Sequence, residues 1–168
     1  MRIRSLALCA LLLLFLVGCA PEKGDYFAPF RGEFAAKLSG EWQGAPFEGT
    51  LTATAPDEGG ARVMTLIFYA PSTLSGTRLT RDASGVLTLA VGEISLPLAA
   101  DAAAGYAALF DLFPDRGEIH TVTRENGNTR LRGDGFSLLF SPDGIPLAAE
   151  NGAARVEIRE FSNDADDR

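Results

Sequence analysis

The sequence predicts a mainly β domain of the β-rich α+β class, in which about ten strands form an antiparallel curved sheet or open half-barrel with one amphipathic helix packed over it. Three observations support this fold. Apolar and polar residues alternate over several stretches, which is the period of a strand. Asn-Gly and Asp-Gly pairs recur in the C-terminal third. A single stretch repeats its apolar residues with the period of a helix.

Two half-buried strands are predicted at the start of the domain. One face of the segment 33–42 consists of Phe34, Ala36, Leu38, Gly40 and Trp42. In the segment 47–55, Leu51 and Ala53 alternate with threonines. Alternation of this kind is typical of a strand with one face in the core and one in water, and residues 43–46 are predicted to form the turn between the two.

The segments 62–69 and 86–91 carry apolar residues on both faces. A strand that is apolar on both faces is usually covered on both sides. We therefore expect other parts of the chain to lie over each face of the sheet at these strands.

Four hairpin turns are predicted in the C-terminal third. They are Asn126-Gly127, Asp134-Gly135, Asp143-Gly144 and Asn151-Gly152. Asn-Gly and Asp-Gly suit turns that need a positive φ. Short apolar-polar segments separate them, so this part of the chain is predicted to be an antiparallel meander.

One helix is predicted over Ala102–Phe113, capped by Asp101 and ended by Pro114. Its apolar stripe consists of Tyr106, Leu109, Phe110 and Phe113. We expect this stripe to pack on the sheet.

The N-terminus has the layout of a secretory signal. Arg2 and Arg4 precede the apolar run Leu6–Val17. A transmembrane helix is the alternative, but a bilayer core requires about 20 apolar residues. This run is shorter, and the polar segment 21–24 follows it closely.

The end of the run, Leu16-Val17-Gly18-Cys19, resembles the lipobox of bacterial lipoproteins. The resemblance implies cleavage between Gly18 and Cys19, and attachment of a lipid with acyl chains such as palmitate to the Cys19 sulfur. An ordinary signal peptide with a free Cys19 is the alternative.

The predicted organisation is a signal at 1–18, a lipidated N-terminus and tether at 19–30, one β-rich domain at 31–161 and an acidic disordered tail at 162–168.

The composition limits the classes of partner and the cellular location that we expect for this protein. The chain has 22 acidic and 15 basic residues, and loss of Arg2 and Arg4 with the signal makes it still more acidic. Nucleic-acid binding requires basic patches, so this partner is not expected. Cys9 leaves with the signal, so the domain is expected to lack disulfides. We expect a cell-membrane location on the extracytoplasmic face, in the outer membrane where the cell has two membranes.

The order of elements resembles the lipoprotein carriers of the bacterial envelope and their lipid-binding lipoprotein relatives. The resemblance covers residues 31–161 and includes the turns at 70–76, 82–85 and 141–147. It implies an open half-barrel with helices over an apolar hollow that binds an acyl chain or another apolar ligand. The chain departs from this pattern because Pro29 and Gly32 argue against a helix in the segment 25–31.

No catalytic, metal or cofactor site is predicted. His120 is the single histidine, and no Gly-x-Ser-x-Gly motif accompanies it. Aspartates such as Asp82 and Asp143 occur in predicted turns, where they usually bond the backbone. The protein is therefore expected not to be an enzyme.

The leading hypothesis is a membrane-anchored lipoprotein that binds a lipid or another apolar ligand between the sheet and the helix. The candidate lining residues are Trp42, Phe68, Leu109, Phe110 and Phe113. The alternative is a structural or interaction module with a filled core that docks an envelope protein. A carrier has a hollow of several hundred Å³, whereas a docking module has none.

Overall fold

The computed structural model describes residues 25–163. The predictions for the signal segment, Cys19 and residues 164–168 lie outside these residues, whereas Ser162 and Asn163, which were also predicted to belong to the disordered tail, end the last strand of the sheet. Eleven strands form one sheet: β1 (Phe34–Trp42), β2 (Ala45–Ala53), β3 (Met64–Ala70), β4 (Thr77–Arg81), β5 (Leu87–Val91), β6 (Ile94–Pro97), β7 (Ile119–Glu125), β8 (Asn128–Gly133), β9 (Phe136–Phe140), β10 (Pro146–Asn151) and β11 (Ala154–Asn163). The two helices in this range are α1 (Ala28–Arg31) and α2 (Ala100–Phe110).

The sheet is antiparallel, curved and unclosed, with the strand order β6-β5-β4-β3-β2-β1-β11-β10-β9-β8-β7. Strands β6 and β7 are its two edges. The order follows from two meanders, β1 to β6 and β7 to β11, that meet where β1 pairs with β11. The predicted mainly β fold with an open sheet is therefore confirmed.

Alternation along the strands separates a buried inner face from an exposed outer face. In β1, Phe34, Ala36 and Leu38 are buried while Lys37 is exposed. In β2, Phe47, Leu51 and Ala53 are buried. The same alternation continues into β3 and β11. The inner faces of the strands and both helices form one hydrophobic core.

Two glycines on the inner face allow the sheet to bend sharply. A Cβ on Gly40 would lie 2.0 Å from the carbonyl oxygen of Arg155, and a Cβ on Gly49 would lie 2.6 Å from that of Ile67. Neighbouring backbones therefore approach more closely than any side chain would permit. Glycine at such a corner is a common means of curving a sheet.

The helix predicted at 102–113 is present, but its limits differ. It spans Ala100–Phe110, and its N-cap is Ala99 with no side-chain hydrogen bond, so Asp101 is not the cap. Pro114 disfavours helical geometry at Phe113, and the helix ends three residues before that, at Phe110. Phe113 lies beyond the helix end and is nonetheless buried.

A short helix forms where the sequence argued against one. Pro29 occupies the first turn of α1, where a missing backbone N–H costs no hydrogen bond. Phe27 and Phe30 are buried in the core. Residues 26–30, assigned from the sequence to the tether, are thus packed against the domain.

The expectation that β3 and β5 are covered on both faces is wrong. Ile67 and Tyr69 on the outer face of β3 are exposed, as is Val86 just before β5, and Val91 on the inner face of β5 is exposed as well. An antiparallel sheet can leave one face in water, and both helices pack on the inner face alone.

The four predicted hairpin turns are confirmed, since they join β7 to β8, β8 to β9, β9 to β10 and β10 to β11. Asn126 and Gly127 both have positive φ, as two-residue hairpins require.

No helix within residues 25–163 is long and apolar enough to cross a membrane.

Candidate functional site

The five residues predicted to line a hollow all belong to the inner-face core. Phe68, Leu109, Phe110 and Phe113 have at most 1% of their surface exposed. Trp42 is half-buried at the end of β1, where its indole N–H donates to the carbonyl oxygen of Gly105, 3.1 Å away. The structure therefore places them on the predicted face, but as packed side chains.

Aromatic rings occupy much of the space between the sheet and the helices. The Phe30 ring lies 5.6 to 6.1 Å from the rings of Phe34, Phe113, Phe140 and Phe161. The Trp42 ring packs on Tyr106 at 4.7 Å. These distances are those of favourable aromatic pairs, so this part of the core is filled.

The inner face is uncovered at one edge of the sheet. Leu89 lies opposite Leu79, which is fully buried, so Leu89 and its alternate neighbour Val91 face inward. Leu96 and Ile94 lie opposite Leu89 and Val91 across the β5–β6 pair and share their face. Val91, Ile94 and Leu96 are nevertheless 59%, 68% and 62% exposed. We call these three residues the open strip.

The open strip was missed by the sequence reasoning. The sequence pattern predicts that the segment 86–91 is covered on both faces, and it does not indicate that Ile94 and Leu96 belong to the core face. Alternation within 94–97 marks a strand, but only the register with β5 shows that Ile94 and Leu96 extend the core face. Coverage by α2 stops short of this edge because the helix begins with small residues, of which Ala100, Ala102 and Ala104 are exposed.

A polar cleft lies at the C-terminal end of α2. It measures about 440 Å³, and its apolar wall includes Phe110 and Phe113. Arg81 donates to Asp111 at 2.8 Å and lies over the Phe110 ring, with its guanidinium carbon 5.2 Å from the ring centre. This ion pair between Arg81 and Asp111 spans the mouth of the cleft and joins the end of α2 to β4.

Arg62 enters the same cleft and ties three segments together. Its guanidinium donates to the backbone carbonyls of Phe30 and Phe113 and lies over the Phe34 ring. Burial lowers the pKa of Arg62, an effect that nearby Asp115 opposes and Arg81 reinforces. Its hydrogen bonds hold α1 and the end of α2 to the sheet.

A broad depression lies on the outer face. It measures about 630 Å³ and lies over β1, β2 and β11. Its rim carries Glu41, Glu48, Arg155 and Glu157. The groove follows from the bend at Gly40, because β1 and β11 lie unusually close there. Its lining combines these polar side chains with apolar ones, which are Pro46, Phe47, Ala70, Pro71 and Val156.

His120 lies on the edge strand β7 and is exposed. Its Nε2 is 2.7 Å from a carboxylate oxygen of Asp134, and its Nδ1 is 3.9 Å from Glu118. The hydrogen bond and charge of Asp134 raise the pKa of His120. Among the described residues no hydroxyl nucleophile is hydrogen-bonded to His120, and residues 25–163 contain no group of three or more His, Cys, Asp or Glu arranged to hold a metal ion.

Comparison with known proteins finds likeness in fold. No family model and no curated protein matches the sequence. The structure is similar to an uncharacterized conserved protein from Thermus thermophilus, with a TM-score of 0.50 and 13% identity over 83% of each chain.

Two further structures are similar at a TM-score of 0.47. MucB has 15% identity over 88% of this chain, which spans 60% of MucB. A domain described as an outer membrane lipoprotein-sorting protein from Vibrio parahaemolyticus has 12% identity, over 85% of this chain and 93% of the domain. At these identities the likenesses concern the fold alone.

Proposed function

We propose that this chain is a membrane-anchored extracytoplasmic lipoprotein that binds a lipid or another apolar ligand on the inner face of its sheet. It acts by binding and not by catalysis. The observation that carries the proposal is the open strip, Val91, Ile94 and Leu96, where core-facing apolar side chains remain exposed beside α2.

An acyl chain fits the chemistry of the open strip. Complete burial of a Val, Leu or Ile side chain is worth about 1.5–3 kcal/mol relative to exposure. Leu89, which lies opposite Leu96, and Leu98, two residues beyond Leu96, are half-buried and pack on the core. A ligand lying on the strip would therefore be in contact with apolar side chains along its length.

The proposed ligand position differs from the predicted hollow. Phe110 and Phe113 fill the space beneath α2, so a ligand there would have to displace them or move the helix. At the open strip a ligand can bind without disturbing a buried side chain. This position keeps the predicted sheet–helix location and shifts it to the β5–β6 edge.

The anchor is supported by the lipobox resemblance of Leu16-Val17-Gly18-Cys19. Cys19→Ser removes the acceptor sulfur, so the variant should remain an unprocessed precursor. Metabolic labelling with a fatty-acid analogue tests this. Equal label on the wild type and on Cys19→Ser would contradict the anchor.

A docking module for an envelope protein is the second candidate. The observation that favours it is the filled aromatic core around Phe30, with ring separations of 5.6 to 6.1 Å. In this case the open strip contacts a protein partner, and no lipid co-purifies with the chain.

Native mass spectrometry of the protein purified from cells distinguishes the two candidates. The lipid carrier should retain a non-covalent lipid in addition to any covalent one. Leu96→Gln should reduce the lipid-bound fraction several-fold, because it places an amide in the open strip. Ile67→Gln is the matched control, since Ile67 is an exposed residue on the outer face between the buried Leu66 and Phe68.

Retention of lipid by wild type and Ile67→Gln, with loss in Leu96→Gln, supports the carrier. Absence of lipid from the wild type, or equal loss in both variants, contradicts it and favours the docking module.

A further inference from the structure

Positive charge is concentrated in the β7–β8 hairpin, Ile119–Gly133. The whole chain has a net charge of −7. The hairpin instead contains Arg124, Arg130 and Arg132 against the single acidic residue Glu125. Within its own residues the hairpin is therefore basic, although the protein as a whole is acidic.

Two of these arginines have no ion-pair partner among residues 25–163 and can bind an anion. Arg130 already has an ion-pair partner, because its guanidinium donates to Glu125 at 3.1 Å. Arg124 and Arg132 are exposed, and neither has a carboxylate within 4.0 Å among residues 25–163. The acidic residues that flank the hairpin, Glu118 and Asp134, face His120.

The hairpin also lies where the N-terminal chain enters the domain. The ring of Tyr26 is 6.3 Å from Phe140, and that of Phe27 is 5.9 Å from Phe136. Both partners belong to β9, which pairs with β8. The chain from Cys19 to Asp25 can extend about 20 Å at most. A membrane that holds Cys19 is therefore within reach of this side of the sheet.

The edge strand adds an apolar contact. Val122 lies opposite the buried Leu131, yet it is 40% exposed. It is an inner-face residue that no helix of the described chain covers. Guanidinium groups bind phosphate through paired hydrogen bonds, and an adjacent apolar side chain suits the boundary between headgroups and acyl chains.

We propose that the β7–β8 hairpin docks edge-on to an anionic lipid bilayer, with Arg124 on its inner face and Arg132 on its outer face binding phosphate groups of the lipid headgroups. The inference rests on the proposed anchor at Cys19, which brings the membrane within reach. It gives the anchored domain one preferred orientation, with the β7 edge toward the bilayer and the β6 edge on the opposite side of the sheet.

Hydrogen exchange on the lipidated full-length mature protein tests the docking. The protein is reconstituted in vesicles of phosphatidylcholine alone or of phosphatidylcholine with phosphatidylglycerol. Amides of residues 119–125 should exchange several-fold more slowly on the anionic vesicles, while those of 94–97 at the other edge should not change. Each unpaired arginine is expected to raise the binding constant for the anionic surface about five-fold.

Two double variants separate docking from a general charge effect. Arg124→Gln with Arg132→Gln should abolish the difference between the two vesicle types. Arg78→Gln with Arg155→Gln removes the same charge from exposed positions elsewhere and should retain the difference. Equal exchange on both vesicles, or equal loss in both double variants, overturns the docking surface.

Flotation of the same samples distinguishes the two levels of the proposal. Wild type that floats with phosphatidylcholine vesicles but shows no anionic protection overturns the docking alone. Wild type that does not float overturns the anchor, and the docking with it.

Discussion

Two glycines, Gly40 in β1 and Gly49 in β2, allow the curvature of the sheet. Gly40 lies opposite Val156 of β11 and Phe47 of β2. A Cβ at this position would lie 2.0 Å from a backbone oxygen, which cannot move aside as a flexible side chain can. The inner-face core thus depends on the absence of a methyl group in β1.

Gly40→Ala should destabilise the protein by at least about 1–3 kcal/mol, the usual cost of forcing extra atoms into a packed region. Gly32→Ala is the matched control, because a Cβ there meets nothing within 4 Å, and it should change the stability by less than about 0.5 kcal/mol. Urea unfolding measures both. Equal midpoints for the two variants would contradict the role assigned to Gly40.

His120 provides a pH-dependent contact at the β7 edge. Asp134 raises its pKa through a hydrogen bond and through charge. A group whose pKa is raised on folding stabilises the folded state below its unfolded pKa of about 6.5. This contribution is lost as the pH rises through the higher folded pKa.

Asp134→Asn should lower the pKa of His120 toward its ordinary value and should destabilise the protein more at acidic than at alkaline pH. Because His120 is the single histidine, its ring proton can be followed directly by NMR titration. Asp143→Asn in the next hairpin turn is the control and should leave the titration unchanged. An unaltered His120 pKa in Asp134→Asn would argue against the pairing.

Among the elements, α2 connects the packed core with the open strip. Its C-terminal half contributes the buried Leu109 and Phe110, and Arg81 pairs with Asp111 just beyond it. Its first turn has neither a capping side chain nor a large apolar residue. The end of α2 next to the open strip is therefore the less strongly held end.

Ala99→Ser should stabilise the protein by about 0.5–1 kcal/mol, because the backbone of Ala99 already has the extended geometry of an N-cap (φ −64°, ψ 152°). Ala102→Ser places the same side chain inside the helix and should be neutral or slightly destabilising. Thermal unfolding of the two variants measures the difference. No gain for Ala99→Ser relative to Ala102→Ser would mean that the first turn is already satisfied.

The whole domain is held by its core and its sheet. Both cysteines, Cys9 and Cys19, precede residue 25, so no disulfide can form within residues 25–163. The two meanders are joined by the long β1–β11 pair, which extends from Phe34 to Trp42 on β1. Unfolding should therefore be cooperative across both halves of the sheet.

The melting temperature of the domain from residue 20 should be the same with and without a reducing agent. Circular dichroism with a thiol reductant measures this, and the urea midpoint provides a second readout. A large shift on reduction would contradict a fold that is held by its core and its sheet without a disulfide.

The sequence by itself determined the local structure of this protein. Alternation in 33–42 predicts a strand because a strand's side chains point to opposite faces in turn, and Asn126-Gly127 predicts a hairpin because those residues adopt positive φ. The apolar stripe of α2 predicts its packed face for the same kind of reason. Each of these signals acts over a few neighbouring residues.

Only the tertiary structure decided which apolar residues are covered. Phe110 and Leu96 are both apolar in the sequence, yet one is fully buried and the other 62% exposed. Pairing of β5 with β6 places Leu96 on the core face, and the start of α2 leaves it uncovered. Coverage depends on how far a helix extends over a curved sheet, and that distance arises from contacts between residues remote in the chain.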